Sequence, residues 1–313
     1  MFRRVFIRIV TILFILFLAL AALSLALLGV YAVTIQRVPE GVAYGEIEAG
    51  GQTRSYLLYV PASYKSGQPV PLVLSFHGFA EWPAHQMEIS RWNALADQYG
   101  FLVAYPRGTG FPLRWSVGGF GSAGDPSGEI EFVRRLIDRV NEKYPLDPAR
   151  IYANGLSNGG GMSDMLACAL SDKIAAIGGV SGAYLFPPEE CHPNRPVPVI
   201  AFHGTADRIV PYAGGPSSSF NKSFPAVTDW AKTWAVRNGC SPVPEQLPDS
   251  GEVSGVRYAD CAQQADVILY TIHGGGHAWP GGGAIPEFIV GWTTQDVDAT
   301  RLMWFFFQLH SLR

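Results

Sequence analysis

One five-residue stretch rules out most architectures for this chain: Gly155-Leu156-Ser157-Asn158-Gly159, its single GxSxG. Arg150 to Asn154 before it reads as a strand, and Met162 to Leu170 after it reads as a helix. A serine held between a strand and a helix on so sharp a turn has a strained backbone. The small residues on either side let strand and helix pass close together. The serine oxygen is then presented at the C-terminal edge of a sheet, over a helix N-terminus. The competing reading is a glycine-rich loop with an idle serine, and the strand-turn-helix context disfavours it.

The surrounding sequence supplies the sheet. Ser55 to Val60 reads as a strand ended by Pro61, and Pro71 to Phe76 is an apolar run ended by His77-Gly78. Ile89 to Tyr99 has helical spacing, Phe101 to Tyr105 is a short buried strand, and Glu129 to Tyr144 carries the apolar stripe of an amphipathic helix. Ile174–Val180, Val197–Phe202, Val256–Tyr258 and Val267–Ile272 read as strands, with helices at Val227–Asn238 and Thr300–His310. Buried apolar runs alternating with amphipathic helices predict an α/β fold, a mostly parallel sheet with helices on both faces. The 313 residues, 48% of them hydrophobic, suffice for one large core.

The N-terminus is different. Arg3, Arg4 and Arg8 precede an uncharged run from Ile9 to Gln36. This run exceeds the usual core of a cleaved signal peptide and is long enough to cross a bilayer. Residues 1–33 are therefore read as a signal anchor, or as a signal peptide cut near Val30-Tyr31-Ala32, with residues 9–33 as the possible membrane contact and the arginines kept in the cytoplasm. Either reading exports the rest, to the extracellular or periplasmic side. Residues 34–50 read as a linker and 51–313 as the catalytic domain. Cys168, Cys191, Cys240 and Cys261 are even in number and contain no CxxC. Three pairings are possible, and proximity favours Cys168–Cys191 with Cys240–Cys261. The spacings do not suit zinc, while four free thiols remain an alternative. A net charge of −3 and a pI near 6.2 give no footprint for nucleic acid.

A serine hydroxyl needs a base, usually a histidine oriented by a carboxylate. After a nucleophile elbow, the expected order is serine, acid, histidine. His277 lies in Gly274-Gly275-Gly276-His277-Ala278-Trp279-Pro280, a flexible loop after a strand that can reach over the serine. His273 is its close rival at the strand end. His192 sits in a Pro-rich loop, His203 at another strand end and His310 in the closing helix. Asp207 follows the strand Val199–Phe202 and is the expected acid. Asp172 would lie at the wrong sheet edge, Asp229 falls in a helix, and Asp260 and Asp266 flank late strands. The expected oxyanion donors are the backbone N–H groups of Asn158 and of Phe79, in the loop His77-Gly78-Phe79. His77 itself is read as structural.

With these residues in place, the chain resembles the exported esterases of the polyhydroxybutyrate-depolymerase and feruloyl-esterase group. The resemblance runs from about residue 44 to the C-terminus. It is carried by Pro71–Gly78, Ile151–Gly160, His203-Gly204-Thr205-Ala206-Asp207 and Gly274–Gly281. It implies an α/β-hydrolase fold, a Ser157–Asp207–His277 triad, no metal and no cofactor. It further implies that Trp115 and Trp279 lie near the acyl site, with ordinary aromatic packing as the alternative. The Cys240–Cys261 pairing also looks like the family's pattern.

Only 50 positions separate Ser157 from Asp207, and a helix, two strands and the loop Ala183–Pro196 use them up. No room remains for a large cap domain, so an open cleft is expected, suited to an ester on an oligomer or polymer. No second, polymer-binding module is expected. The expected function is hydrolysis of carboxylic esters, either polyhydroxybutyrate-type oligomers or feruloyl and acetyl esters of plant polysaccharide. The alternatives are a serine peptidase on the same fold and a catalytically inactive envelope binding protein.

Overall fold

The computed structural model describes residues 2–35, 38–118, 125–283 and 286–312. It contains two compact units, residues 1–39 and 40–313. The first is one helix, α1 (Phe2–Ile35). Its segment Val10–Val30 has a mean hydropathy of 2.8 and is unburied, so by length and composition it can cross a membrane. Gln36, at the end of the uncharged run, lies outside the described residues.

The second unit is built on ten strands. In chain order its elements begin with β1 (Val42–Ala49), β2 (Gln52–Tyr59), β3 (Val70–Phe76), α2 (Pro83–Ser90), α3 (Trp92–Tyr99) and β4 (Leu102–Pro106). Then come α4 (Ser127–Lys143), β5 (Leu146–Leu156), α5 (Asn158–Ala169), β6 (Ala176–Val180) and β7 (Val199–Gly204). A small hairpin, β8 (Gly215–Pro216) and β9 (Ser223–Phe224), precedes α6 (Val227–Arg237). The chain continues through β10 (Glu245–Ser250), β11 (Val253–Tyr258), β12 (Val267–Ile272), α7 (Glu287–Val290) and α8 (Ala299–Gln308).

The sheet order is β1-β2-β4-β3-β5-β6-β7-β12-β11-β10. Its six central strands, β4 to β12 in that order, are parallel, and the two strands on each flank are antiparallel. Central strands β3, β4, β6 and β7 are almost wholly buried, as continuous apolar runs require when helices cover both faces. Two cores result. One joins α4, α5 and α6 to one face, and the other joins α2, α3 and α8 to the opposite face.

Three local readings of the sequence change. The helix expected over Ile89–Tyr99 is two helices, because Arg91 adopts a left-handed conformation at φ 55° between them. Residues 42–49, assigned to a linker, form edge strand β1, paired along its whole length with β2. The hairpin after Asp207 was not foreseen. Both expected cysteine pairs form disulfides, Cys168–Cys191 and Cys240–Cys261. Each closes a short loop and restricts the unfolded chain.

Candidate active site

The turn after β5 is what the glycines predict. Ser157 has φ 55° and ψ −118°, a conformation that few non-glycine residues adopt. Its neighbours must be glycine because backbone occupies the space a side chain would need. A Cβ on Gly155 would lie 2.4 Å from the Gly159 carbonyl carbon, and one on Gly159 would lie 2.1 Å from the Phe76 carbonyl oxygen. The strain is held from the next strand. Ser157 N–H donates to Val180 O, and Ala183 N–H donates to Ser157 O, each at 2.9 Å. Asn158 opens α5, so its N–H is one of the helix's first four, which have no partner within the helix.

The acid and the histidine come from neighbouring parallel strands. Register pairs Gly204 of β7 with Ile272 of β12, which brings the two following loops out side by side. The loops are then joined. Thr205 N–H donates to Ile272 O and Ala206 N–H to Gly275 O, both at 2.9 Å, and Gly274 N–H donates to Thr205 Oγ1 at 2.8 Å. Asp207 Oδ1 accepts the N–H groups of Ile209 and Val210 at 2.8 and 2.9 Å. Its Oδ2 lies 2.7 Å from His277 Nδ1, with the Asp207 side chain fully buried. A carboxylate accepts, so Nδ1 carries the hydrogen and Nε2 is left as the basic nitrogen.

The charges reinforce one another. Burial works against the charged forms of both groups, but their mutual attraction outweighs it. Asp207 is held far below the usual carboxylate range, with His203 contributing. His277 is raised above the ordinary histidine value, mainly by Asp207, with Glu81 adding to it. The His277 loop rests on the end of α7 and the residues just after it: Gly276 N–H donates to Trp292 O at 2.8 Å, and His277 N–H to Val290 O at 2.5 Å.

The loop after β3 carries the second expected oxyanion donor, Phe79. Gly78 N–H donates to Glu81 Oε2 at 2.9 Å, Ala80 N–H to Leu113 O and Glu81 N–H to Gly78 O, so these three amides are committed elsewhere. Phe79 makes an edge-to-face contact with Phe220, 5.3 Å between centroids, from the hairpin that follows Asp207. His77 holds the loop from beneath. Its Nδ1–H donates to Gly78 O at 2.7 Å and its Nε2 accepts Gly108 N–H at 2.9 Å. Burial pushes its value down to about 4, so it stays neutral and structural.

Trp115 and Trp279 are both completely enclosed, 0% and 1% exposed. Trp115 donates its indole N–H to His77 O at 2.8 Å, and its backbone N–H to Asn158 Oδ1 at 2.7 Å. It therefore ties the β3 loop to the first residue of α5. Trp279 donates to Thr300 Oγ1 at 2.8 Å, anchoring the histidine loop to α8. The rival His273 pairs instead with Ser254 on β11, at 2.8 Å.

Sequence reading missed two supports. Asn154, on β5, joins Ser75 and Trp92 at 2.9 and 3.0 Å beneath the elbow. Glu81 braces Gly78. Polar residues at odds with a buried strand or an apolar helix start were the available signal. Among the described residues no group of three His, Cys, Asp or Glu side chains is arranged to hold a metal ion.

A parallel sheet with the strained serine after β5, and with an acid and a histidine after β7 and β12, defines the α/β-hydrolase class. Comparison with known proteins narrows this. Residues 54–194 match the family described as esterase PHB depolymerase. Feruloyl esterase B of Piromyces equi is 32% identical over 235 residues, 72% of this chain and 42% of that protein. The chain thus spans less than half of that relative. Feruloyl esterase C of Emericella nidulans is 27% identical over 228 residues, 72% of this chain and 76% of that one. The solved acetyl xylan esterase from Aspergillus awamori shares the fold, with a TM-score of 0.58 at 16% identity, over 75% of this chain and 94% of that one. These matches support the polyhydroxybutyrate-depolymerase and feruloyl-esterase-like family for this chain.

Proposed function

We propose that this protein is an exported serine esterase that hydrolyses carboxylic esters through Ser157, His277 and Asp207. The observation that carries the reading is the enclosed Asp207–His277 pair at 2.7 Å, at the same sheet edge as a serine with φ 55°. His277 Nε2 takes the hydroxyl proton as Ser157 Oγ attacks the ester carbonyl. The developing oxyanion is met by the N–H groups of Asn158 and Phe79. Collapse expels the alcohol, which leaves with the proton from His277, and an acyl-enzyme remains. Water then attacks, gives its proton to His277, and the acid departs with Ser157 restored.

The names of the relatives support feruloyl or acetyl esters of polysaccharide, with hydroxybutyrate oligomers as the other family substrate. No helical cap stands between Ser157 and Asp207, where only α5, β6, a single 3-10 turn and β7 occur. That favours esters on oligomeric or polymer-attached groups. The apolar Val10–Val30 and two disulfides favour export, with α1 as a membrane anchor. A fluorophosphonate probe tests the nucleophile: the protein should label, and Ser157→Ala should not. Equal labelling of both forms overturns the proposal. Turnover of p-nitrophenyl acetate without cleavage of peptide amides is expected, and peptide cleavage would favour a peptidase. A panel of methyl ferulate, acetylated xylan and hydroxybutyrate oligomers assigns the acyl group.

A further inference from the structure

Asp207 has a second histidine beside it. His203, at the end of β7, has a fully enclosed side chain, and its Nε2 lies 2.9 Å from Val210 O and 3.3 Å from Asp207 Oδ2. Both neighbours accept hydrogen bonds, so Nε2 must carry the hydrogen. Nδ1 is then a lone pair, and it is buried without a hydrogen-bond partner. That is a costly arrangement to keep unless the N–H on the other side is needed. The ring is further confined by Tyr212, edge-on at 6.0 Å, whose hydroxyl bonds Thr271 on β12 at 2.8 Å.

We infer that His203 is a positioning residue for catalysis: its Nε2–H fixes the Val210 carbonyl and the Asp207 carboxylate together, and so sets how strongly Asp207 acts on His277. This rests on the proposed triad. The turn Asp207–Val210 closes on both sides. Ile209 and Val210 N–H groups hold Oδ1, and the His203 N–H holds Val210 O with its positive end against Oδ2. Oδ2 is the oxygen that His277 uses. A donor beside it draws off part of the charge that His277 feels and prevents the carboxylate from rotating.

The titratable groups in play are few. Asp207 faces His203 and His277, His277 faces Asp207 and Glu81, and His203 faces Asp207 and Tyr212. Without the His203 N–H, Asp207 acts on His277 undiluted, which holds the proton on His277 more tightly. The acidic limb of kcat/KM should then move to higher pH.

The test compares His203→Phe, which removes the donor, with His203→Gln, which can return an N–H at similar reach. Both are measured in the full-length protein on p-nitrophenyl butyrate across the pH range. His203→Phe should move the acidic limb upward by about half a pH unit or more and lower kcat about tenfold, the scale of one hydrogen bond to a charged group. His203→Gln should restore the limb to near its original position. If the variants lose activity with an unmoved limb, His203 is only structural and the inference fails. If His203→Phe does not fold, a second donor-free variant, His203→Leu, takes its place in the same comparison with His203→Gln. Should Ser157→Ala or Asp207→Ala retain activity, it is the triad itself that fails, a distinct outcome.

Discussion

Asp164 lies on the second turn of α5, 4% exposed, and its Oδ1 accepts the indole N–H groups of Trp230 and Trp234 at 3.0 and 2.8 Å. Burial pushes its carboxyl up from 3.8 to about 6, against the two indoles, which favour the charged form. A group raised in the fold binds its proton more tightly there than in the unfolded chain. Its contribution to stability is therefore fully present below 3.8 and is lost as pH rises through about 6. An interval of about two pH units corresponds to about 3 kcal/mol. Ionised Asp164 should thus cost the fold about that much at neutral pH. Asp164→Asn keeps an oxygen for both indoles and cannot ionise. Urea denaturation of the detergent-solubilised full chain, followed by tryptophan fluorescence, measures wild type and variant at about pH 3 and about pH 8. Every other titrating group cancels in the difference. The variant should gain about 3 kcal/mol relative to wild type between the two conditions. A difference that is the same at both, or that runs the other way, refutes the account of Asp164 as a carboxyl forced to ionise inside the protein.

Gly159→Ala should remove activity and cost roughly 3 kcal/mol or more, because its Cβ would meet the Phe76 carbonyl oxygen at 2.1 Å, where nothing flexible can yield. Gly128→Ala is its contrast: in α4 the nearest atom would be 4.0 Å away, so circular-dichroism melts should show an unchanged or slightly stabilised protein. Asp207→Asn should leave the fold intact and lower kcat by roughly four orders of magnitude, since His277 loses the partner that fixes its tautomer. In the wild type His277 must be neutral to act as base, and its value is raised from 6.5, so kcat/KM should fall with acidification through a limb above that value. A limb below it in steady-state assays would contradict the role of Asp207.

The elbow was legible because its requirements are local. Close backbone contact at Gly155 and Gly159 writes glycine into the sequence, and order along the chain then picks out Asp207 and His277. The central strands were legible as unbroken apolar runs. Edge strands were not. β10 is almost entirely exposed, and β1 buries only Ile47 and Ala49 well. Nothing in such patterns separates a strand from a connector. The break at Arg91 was hidden too, because arginine carries no signal for a left-handed backbone. Trp115 and Trp279 could be placed near the site by motif but not on either side of the wall between cleft and core. The role of His203 was invisible for a related reason: its contact with Asp207 depends on how the turn through Val210 folds back.

The loops joined after β7 and β12 bear on how the catalytic distance is set. Asp207 and His277, the proposed acid and base, are carried by loops hydrogen-bonded to each other. Ser157 is carried by a separate turn, between β5 and α5. Between the two lies a single strand, β6, and the gap it spans is two strand spacings, about 10 Å. β6 thus works as a gauge block between the two loops and the serine turn. Its third and fourth residues are Gly178 and Gly179, where an added Cβ would meet Met303 Sδ at 2.6 Å on one face of the sheet and the Tyr184 hydroxyl at 2.2 Å on the other. A strand that contributes none of the proposed catalytic groups therefore sets, through backbone pairing on both its edges, the distance between the strand that carries the serine and the strand that carries the acid.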